Sequence, residues 1–340
     1  MNTKYKALYK YELKKLLWFY FALFIFLILY GAMHSNTVSY EVGNILSNTE
    51  GYSINFRILE PDFYFFYSII VFILVYLQFN DGFNKLWHSL PFTNKDVITI
   101  KLITGIASIF IFTAAAGIIM LCQFNSYADI YRDTLLTLNI DPSVINYSFI
   151  ILTLFTIFIV YTFIYLFTIL VQYFIGNSAS GIFLSLLLIH MPILAFDTFN
   201  LNEIIDNKIM FVIFPHYFCV ENNMFDAGFY DNLNIYINTG IFTKFNIGAV
   251  IYYFILSAIT LLILDKVSVS QKWIEQSSPF TKKWTEIIFK LAFTANFFMS
   301  GLTMVYANYN IISKLLISII FAAIGFAISY IIVKRQGVSQ

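Results

Sequence analysis

The sequence predicts an all-α polytopic membrane protein with about eight transmembrane helices, an N-terminal amphipathic interfacial helix and both termini cytoplasmic. Three observations carry this expectation. Of 340 residues, 59% are hydrophobic and 11% charged, more apolar surface than one soluble core of this size can cover. Charge-free runs recur at close to or beyond the about 20 residues that cross a bilayer. Fifteen of the twenty Lys and Arg fall in four segments on one side of those runs, while thirteen of the nineteen Asp and Glu fall in the loops on the other. Basic loops stay cytoplasmic, which fixes the orientation.

The runs are Leu16 to Tyr40, Phe63 to Asn80, Leu102 to Ala128, Pro142 to Phe196, Phe245 to Leu264, Leu291 to Ser313 and Leu315 to Val333. The fourth is long enough for two spans, and the Gly, Asn and Ser of "QYFIGNSASG" (172–181) supply a turn between them. Three substantial outer loops are expected, roughly 35–62, 124–146 and 197–247. The last contains "IMFVIFPHYFCV" (209–220), too short to span and bent by Pro215, hence an interfacial or re-entrant helix. No soluble insert and no internal repeat interrupts the pattern, so residues 1–340 form one transmembrane domain. The basic start followed by a long apolar run without a small-residue cleavage site reads as a retained first span.

Three cytoplasmic pieces remain. The first, 4–16, places Leu8, Leu13 and Leu16 near helical spacing, with Lys at most of the other positions. Such a helix lies in the inner-leaflet interface, anchored by Lys10, Lys14, Lys15 and Trp18, although a basic anchor before a first span explains the same residues. The second, 81–96, carries "NKLWHSL" ended by Pro91, and "TNKD" offers Thr93 or Asn94 as N-cap with Asp96 favourable in the first turn. It is far longer than a minimal connection between antiparallel helices. Its length and amphipathicity suit docking of a partner; a solvated loop is the plainer alternative. The third, 265–290, is basic, with Trp273 and Trp284 at the water boundary.

Catalytic chemistry is not apparent. None of the fourteen glycines is followed by Lys, so no phosphate-cradling G-x-x-x-x-G-K-[ST] exists. Ser180 and His190 are the only thin pair for an intramembrane hydrolase, and Ser and Gly in a turn need no chemistry. His34, His88, His190 and His216 lie on different elements without metal spacing. Cys122 and Cys219 show no metal pattern, and an outer-face disulfide between them rests on chance pairing. No Asp, Glu, Lys or Arg lies at mid-depth in the runs, where ion-coupled pumps commonly keep one. Energy is therefore expected from a partner.

The order of parts resembles the membrane permease subunits of ABC transporters of the type-2 exporter class. "KYKALYKYELKK" (4–15) is similar to their basic amphipathic first helix. "SLPFTNKDVITIK" (89–101) is similar to their Leu-Pro, small hydroxyl and Lys pattern before the third span, with Leu90, Pro91, Thr93 and Lys101 in matching places. The common permease has six spans; larger eight-span relatives resemble it in Gram-positive bacteria, and the Asn, Ile, Lys and Phe content suits such a host. The resemblance implies a plasma-membrane, bacterial, multi-pass transport subunit that is not itself an enzyme. ATP and Mg would sit in a separate ATP-binding partner, and a second permease chain, identical or sister, would complete the pathway. It also implies that Asp81, Lys85, Leu86, Trp87, Leu90, Pro91 and Lys95 couple to that ATPase. The expected cargo is amphipathic or hydrophobic, such as an antimicrobial peptide, an antibiotic or a lipid-linked compound. No nucleic-acid partner, metal or cofactor of the chain's own is expected. The alternative is an ion-coupled secondary transporter or channel.

Overall fold

The computed structural model describes residues 3–46, 53–57, 61–79, 93–137, 147–175, 178–198, 224–230, 234–238, 247–270, 283–304 and 311–338. Almost all of these are helical. In chain order they form α1 (Thr3–Lys15), α2 (Leu17–Leu46), β1 (Ser53–Arg57), α3 (Pro61–Phe79), α4 (Asn94–Thr137), α5 (Tyr147–Phe174), α6 (Ser178–Thr198), β2 (Met224–Tyr230), β3 (Asn234–Asn238), α7 (Ile247–Ser270), α8 (Lys283–Met304) and α9 (Ile311–Val338). Four stretches among the described residues are long and apolar enough to cross a membrane: Lys95–Ile130, Ile150–Phe174, Val250–Val267 and Ile312–Lys334. A fifth exists if α1 and α2, bent by 48° at Leu16, count as one. Phe66–Phe79 and Ser178–Ile189 are shorter apolar helices. These lengths and compositions suit a multi-pass membrane protein.

α5 occupies the centre, packed against α3, α4, α6 and α7. Its Tyr161, Ile164, Tyr165, Ile169 and Tyr173 are buried. The spacings of 3, 1, 4 and 4 between them mark one broad helical face. Tyr161 stacks on Tyr67 of α3 with ring centroids 3.9 Å apart, and Tyr67 meets Phe112 of α4 edge-on at 4.6 Å. The Tyr67 hydroxyl is satisfied by the Ile109 carbonyl and Thr113. A second apolar cluster joins α6, α8 and α9 through Leu184, Leu187, Phe289 and Phe293. There α8 and α9 approach closely enough that a Cβ on Gly301 would come within 2.8 Å of the Ser318 Cα.

Outward faces are apolar too. Phe21, Phe24 and Ile28 of α2 and Leu316, Ile319 and Ile320 of α9 are all exposed. Water would penalise such surfaces, whereas lipid tails accept them.

Three features differ from the expected pattern. α4 runs 44 residues, roughly 66 Å at 1.5 Å per residue, about twice the hydrocarbon thickness. It therefore takes up half of the loop expected over 124–146, carrying the exposed Asp129, Arg132 and Asp133. The two longest loops also contribute strands: β1 pairs antiparallel with β2, and β2 with β3, in the order β1-β2-β3. Finally, α9 already begins at Ile311, inside the run expected to end at Ser313, while residues 305–310 lie outside the described ones. The expected interfacial helix over 209–220 lies outside the described residues, as does Cys219; Cys122 is an exposed free thiol.

The turn expected over 172–181 falls between two helices, with residues 176–177 outside the described ones. α5 stops at Phe174, α6 begins at Ser178, and Gln172 Nε2 donates to the Ser178 carbonyl at 2.8 Å. The start of α4 is fixed by a reciprocal pair: the Asp96 amide donates to Thr93 Oγ1 at 3.2 Å, and the Thr93 amide donates to Asp96 Oδ2 at 3.0 Å. Thr93 is the N-cap, and two otherwise orphaned donors are satisfied at once. Thr93→Ala is expected to cost about 1 kcal/mol at this helix end. Hydrogen exchange at the first-turn amides of α4 should then quicken roughly fivefold; unchanged exchange would show that the cap is idle.

Candidate functional site

Of the segment expected to carry coupling, 81–96, the bridge of residues 81–92 lies outside the described residues, and with it Asp81, Lys85, Leu86, Trp87, Leu90 and Pro91. The structure instead defines what holds its two ends. α3 delivers the chain into the bridge at Phe79, and α4 receives it at Thr93. Between these ends sits a buried polar node built from α1, α3, α4 and α5.

Its centre is Lys101, in the second turn of α4 and almost fully buried. Its ammonium lies 3.0 Å from Glu12 Oε1, a carboxylate with no exposed side-chain surface. It also donates to the Gln78 carbonyl and stands 5.0 Å over the Phe79 ring. Lys15 donates to the same Gln78 carbonyl at 3.3 Å. Carbonyls of a helix's last turn lack intrahelical donors and carry the negative end of its dipole. Two ammonium groups supply both the donors and the charge at the end of α3. Glu12 supplies the negative charge without which the buried lysine would be untenable.

Gln78 is used completely. Its Nε2 donates to the Lys101 carbonyl and to Thr104 Oγ1, both at 3.1 Å, and its Oε1 lies 2.8 Å from the Tyr165 hydroxyl. That hydroxyl is also 2.8 Å from the Lys101 carbonyl, so one proton is shared between two acceptors. Tyr165 reaches this position because position 105 is glycine. A Cβ there would overlap the phenol ring, its Cε2 coming within 2.7 Å. One turn further, Tyr20 of α2 and Ser108 of α4 meet at 2.7 Å.

α1 is held onto this node by a stripe. Leu8, Glu12 and Leu16 are buried at intervals of four, one face of a helix. Leu8 packs on Ile100 with Tyr5, Tyr9 and Val97 around it. Tyr5 donates to Asp96 Oδ1 at 2.7 Å, which ties α1 to the cap of α4 and raises the Tyr5 phenol above its usual range. The α1 helix is therefore docked on the base of α4 along one face.

The expected interface anchors fare differently. Lys10, Lys14 and Trp18 are exposed. Lys15 differs: it is half-buried and turned toward the end of α3. Trp284 is exposed, with its ring 5.7 Å from that of Phe174, while Trp273 lies outside the described residues. Lys95, expected at the rim of the coupling surface, pairs with Asp265 of α7 at 2.6 Å, both side chains more than half exposed. The first turn of α4 and the last turns of α7 are thus tied to each other.

Sequence reasoning missed Glu12, Gln78, Gly105 and Tyr165. Glu12 did leave a signal, being the one acid in a lysine-rich helix and placed midway between Leu8 and Leu16 on its apolar stripe. Ser180 and His190 share α6, where ten residues separate them by roughly 15 Å along the axis. No three His, Cys, Asp or Glu side chains gather among the described residues.

Comparison with known proteins finds no matching family model, no matching curated protein and no matching solved structure.

Proposed function

We propose that the chain is the membrane-spanning permease subunit of an ATP-driven ABC exporter of the type-2 class. Eight spans are assigned to α2 through α9, with both termini, the 80–92 bridge and the segment after α7 cytoplasmic. The positive-inside bias supports this orientation. It moves amphipathic or hydrophobic cargo and works as a pair of permease chains with ATP-binding subunits.

The observation that carries this reading is the buried node at the two ends of the bridge. A loop that only joined two helices would need no buried ion pair, no fully used glutamine and no docked N-terminal helix beneath it. Those contacts cost desolvation, and they make sense where force arrives from outside and must reach the helices without bending the loop's supports. An aromatic anchor with charged neighbours, Trp87 with Lys85 and Lys95, is the composition that protein interfaces favour. An ATPase received there would push on α3 and α4 together and, through Tyr165, on the central helix.

Trp87→Ala is expected to weaken recovery of an ATP-binding subunit in gentle-detergent purification at least tenfold, with membrane insertion unchanged. A hot-spot aromatic is worth about 2 kcal/mol or more, which sets that figure. Full recovery of the partner together with normal transport would remove the bridge from the coupling role.

A further inference from the structure

We infer that the outward face of α1 is a binding surface for anionic phospholipid headgroups of the inner leaflet. The inference rests on the reading of α1 as a helix lying at the membrane interface, and on no part of the ATPase pairing.

The charges of α1 are sorted by face. Its only carboxylate, Glu12, is buried against Lys101. Lys15 is turned to the Gln78 carbonyl. Lys6, Lys10 and Lys14 are all exposed, and none of the three pairs with an acid among the described residues. At about 100° per residue, their mean direction lies roughly 160° from that of Leu8, Glu12 and Leu16. The lysines thus form a ladder with one rung per turn, directly opposite the face docked on α4. Burying the acid leaves this face purely cationic.

Two features choose the occupant. Where the ladder ends, the chain continues at once into Leu17 and Trp18, exposed by 61% and 78%, and then into the exposed apolar face of α2. Positive headgroup contacts followed by apolar tail contacts match an anionic lipid in the order that its own parts occur. An acidic protein surface would match the lysines but not the apolar continuation. Lysine stems lying along an interface with ammonium groups at phosphate depth give the required reach. The docked stripe then makes α1 a bracket, with headgroup charge on one side and the base of α4 on the other.

The test uses the purified full chain alone, in detergent with equal phosphatidylglycerol and phosphatidylcholine, and reads the bound lipids by native mass spectrometry. A juxtamembrane lysine near an anionic surface is worth about fivefold in affinity, so three set an upper limit of about a hundredfold. The wild type should prefer phosphatidylglycerol, and the triple variant Lys6→Gln, Lys10→Gln, Lys14→Gln should lose at least tenfold of that preference. The triple Lys→Arg variant should keep it. Wild-type preference should also fall as salt rises from about 0.05 to 0.5 M, because exposed charges are screened. That titration decides the matter if the glutamine variant does not fold. Equal binding of the two lipids, a preference untouched by the glutamines, or one indifferent to salt would each overturn the inference. Since no ATPase is present, any of these results leaves the permease assignment standing, and loss of that assignment leaves this surface standing.

Discussion

Replacing Lys101 by methionine is expected to destabilise the protein by about 3–5 kcal/mol, the cost of leaving a buried charge without its partner. Glu12 would face an apolar side chain with no water to solvate it. The Gln78 carbonyl would keep only Lys15 of its two ammonium donors. The double variant Glu12→Leu, Lys101→Met should recover most of the loss, because an apolar pair of similar volume removes both charges together. A double-mutant cycle, read by equilibrium unfolding in mixed micelles, should give a coupling of at least about 2 kcal/mol. Additive single effects would mean that the two groups are solvated and independent. The cycle isolates the ion pair from the other contacts between α1 and α4, the Tyr5–Asp96 bond and the packing of Leu8 on Ile100.

Gly105→Ala should be the second large effect, about 3 kcal/mol, an overpacking cost at the upper end of its usual range. The added methyl would occupy the volume of the Tyr165 ring. Tyr165 must then leave its position, giving up the shared bond to Gln78 and the Lys101 carbonyl. The diagnostic is the background. With Tyr165→Ala already present, Gly105→Ala should cost well under about 1 kcal/mol, because the colliding ring is gone. In the Tyr165→Phe background it should remain expensive, since the ring itself collides. An equal cost in all three backgrounds would show that glycine serves the α4 backbone rather than the approach of Tyr165.

Much of the helix pattern was legible because lipid imposes a simple rule: a spanning segment must be apolar and must satisfy its own backbone. Within the described residues every apolar run contains helix, and the longest run is divided between one helix that ends at Phe174 and another that starts at Ser178. The hydroxyl and acid of Thr93 and Asp96 announced a helix start. What escaped was decided by other physics. α4 continues past Ala128 through Asp129, Arg132 and Asp133, where hydropathy no longer distinguishes helix from loop. The pairing of Ser53–Arg57 with Met224–Tyr230 joins segments about half the chain apart, beyond any local pattern. Glu12 looked like one more charge on a water-facing helix, because its buried partner lies 89 residues further on. Gln78 and Tyr165 were absorbed into apolar runs as single polar exceptions, and only packing shows that they meet. Sequence patterns indicate which solvent a helix meets, but not which side chains find one another within it.

The proposed permease depends on a motor outside this chain. The decisive measurement is cargo or ion flux across liposomes containing the purified chain with no nucleotide hydrolase, compared with the same liposomes after adding the proposed ATP-binding partner and ATP. An externally driven permease should show no flux from the chain alone under any imposed ion gradient, and flux that starts only when the partner and ATP are both present. Gradient-driven flux from the chain alone would contradict it and identify an ion-coupled transporter instead.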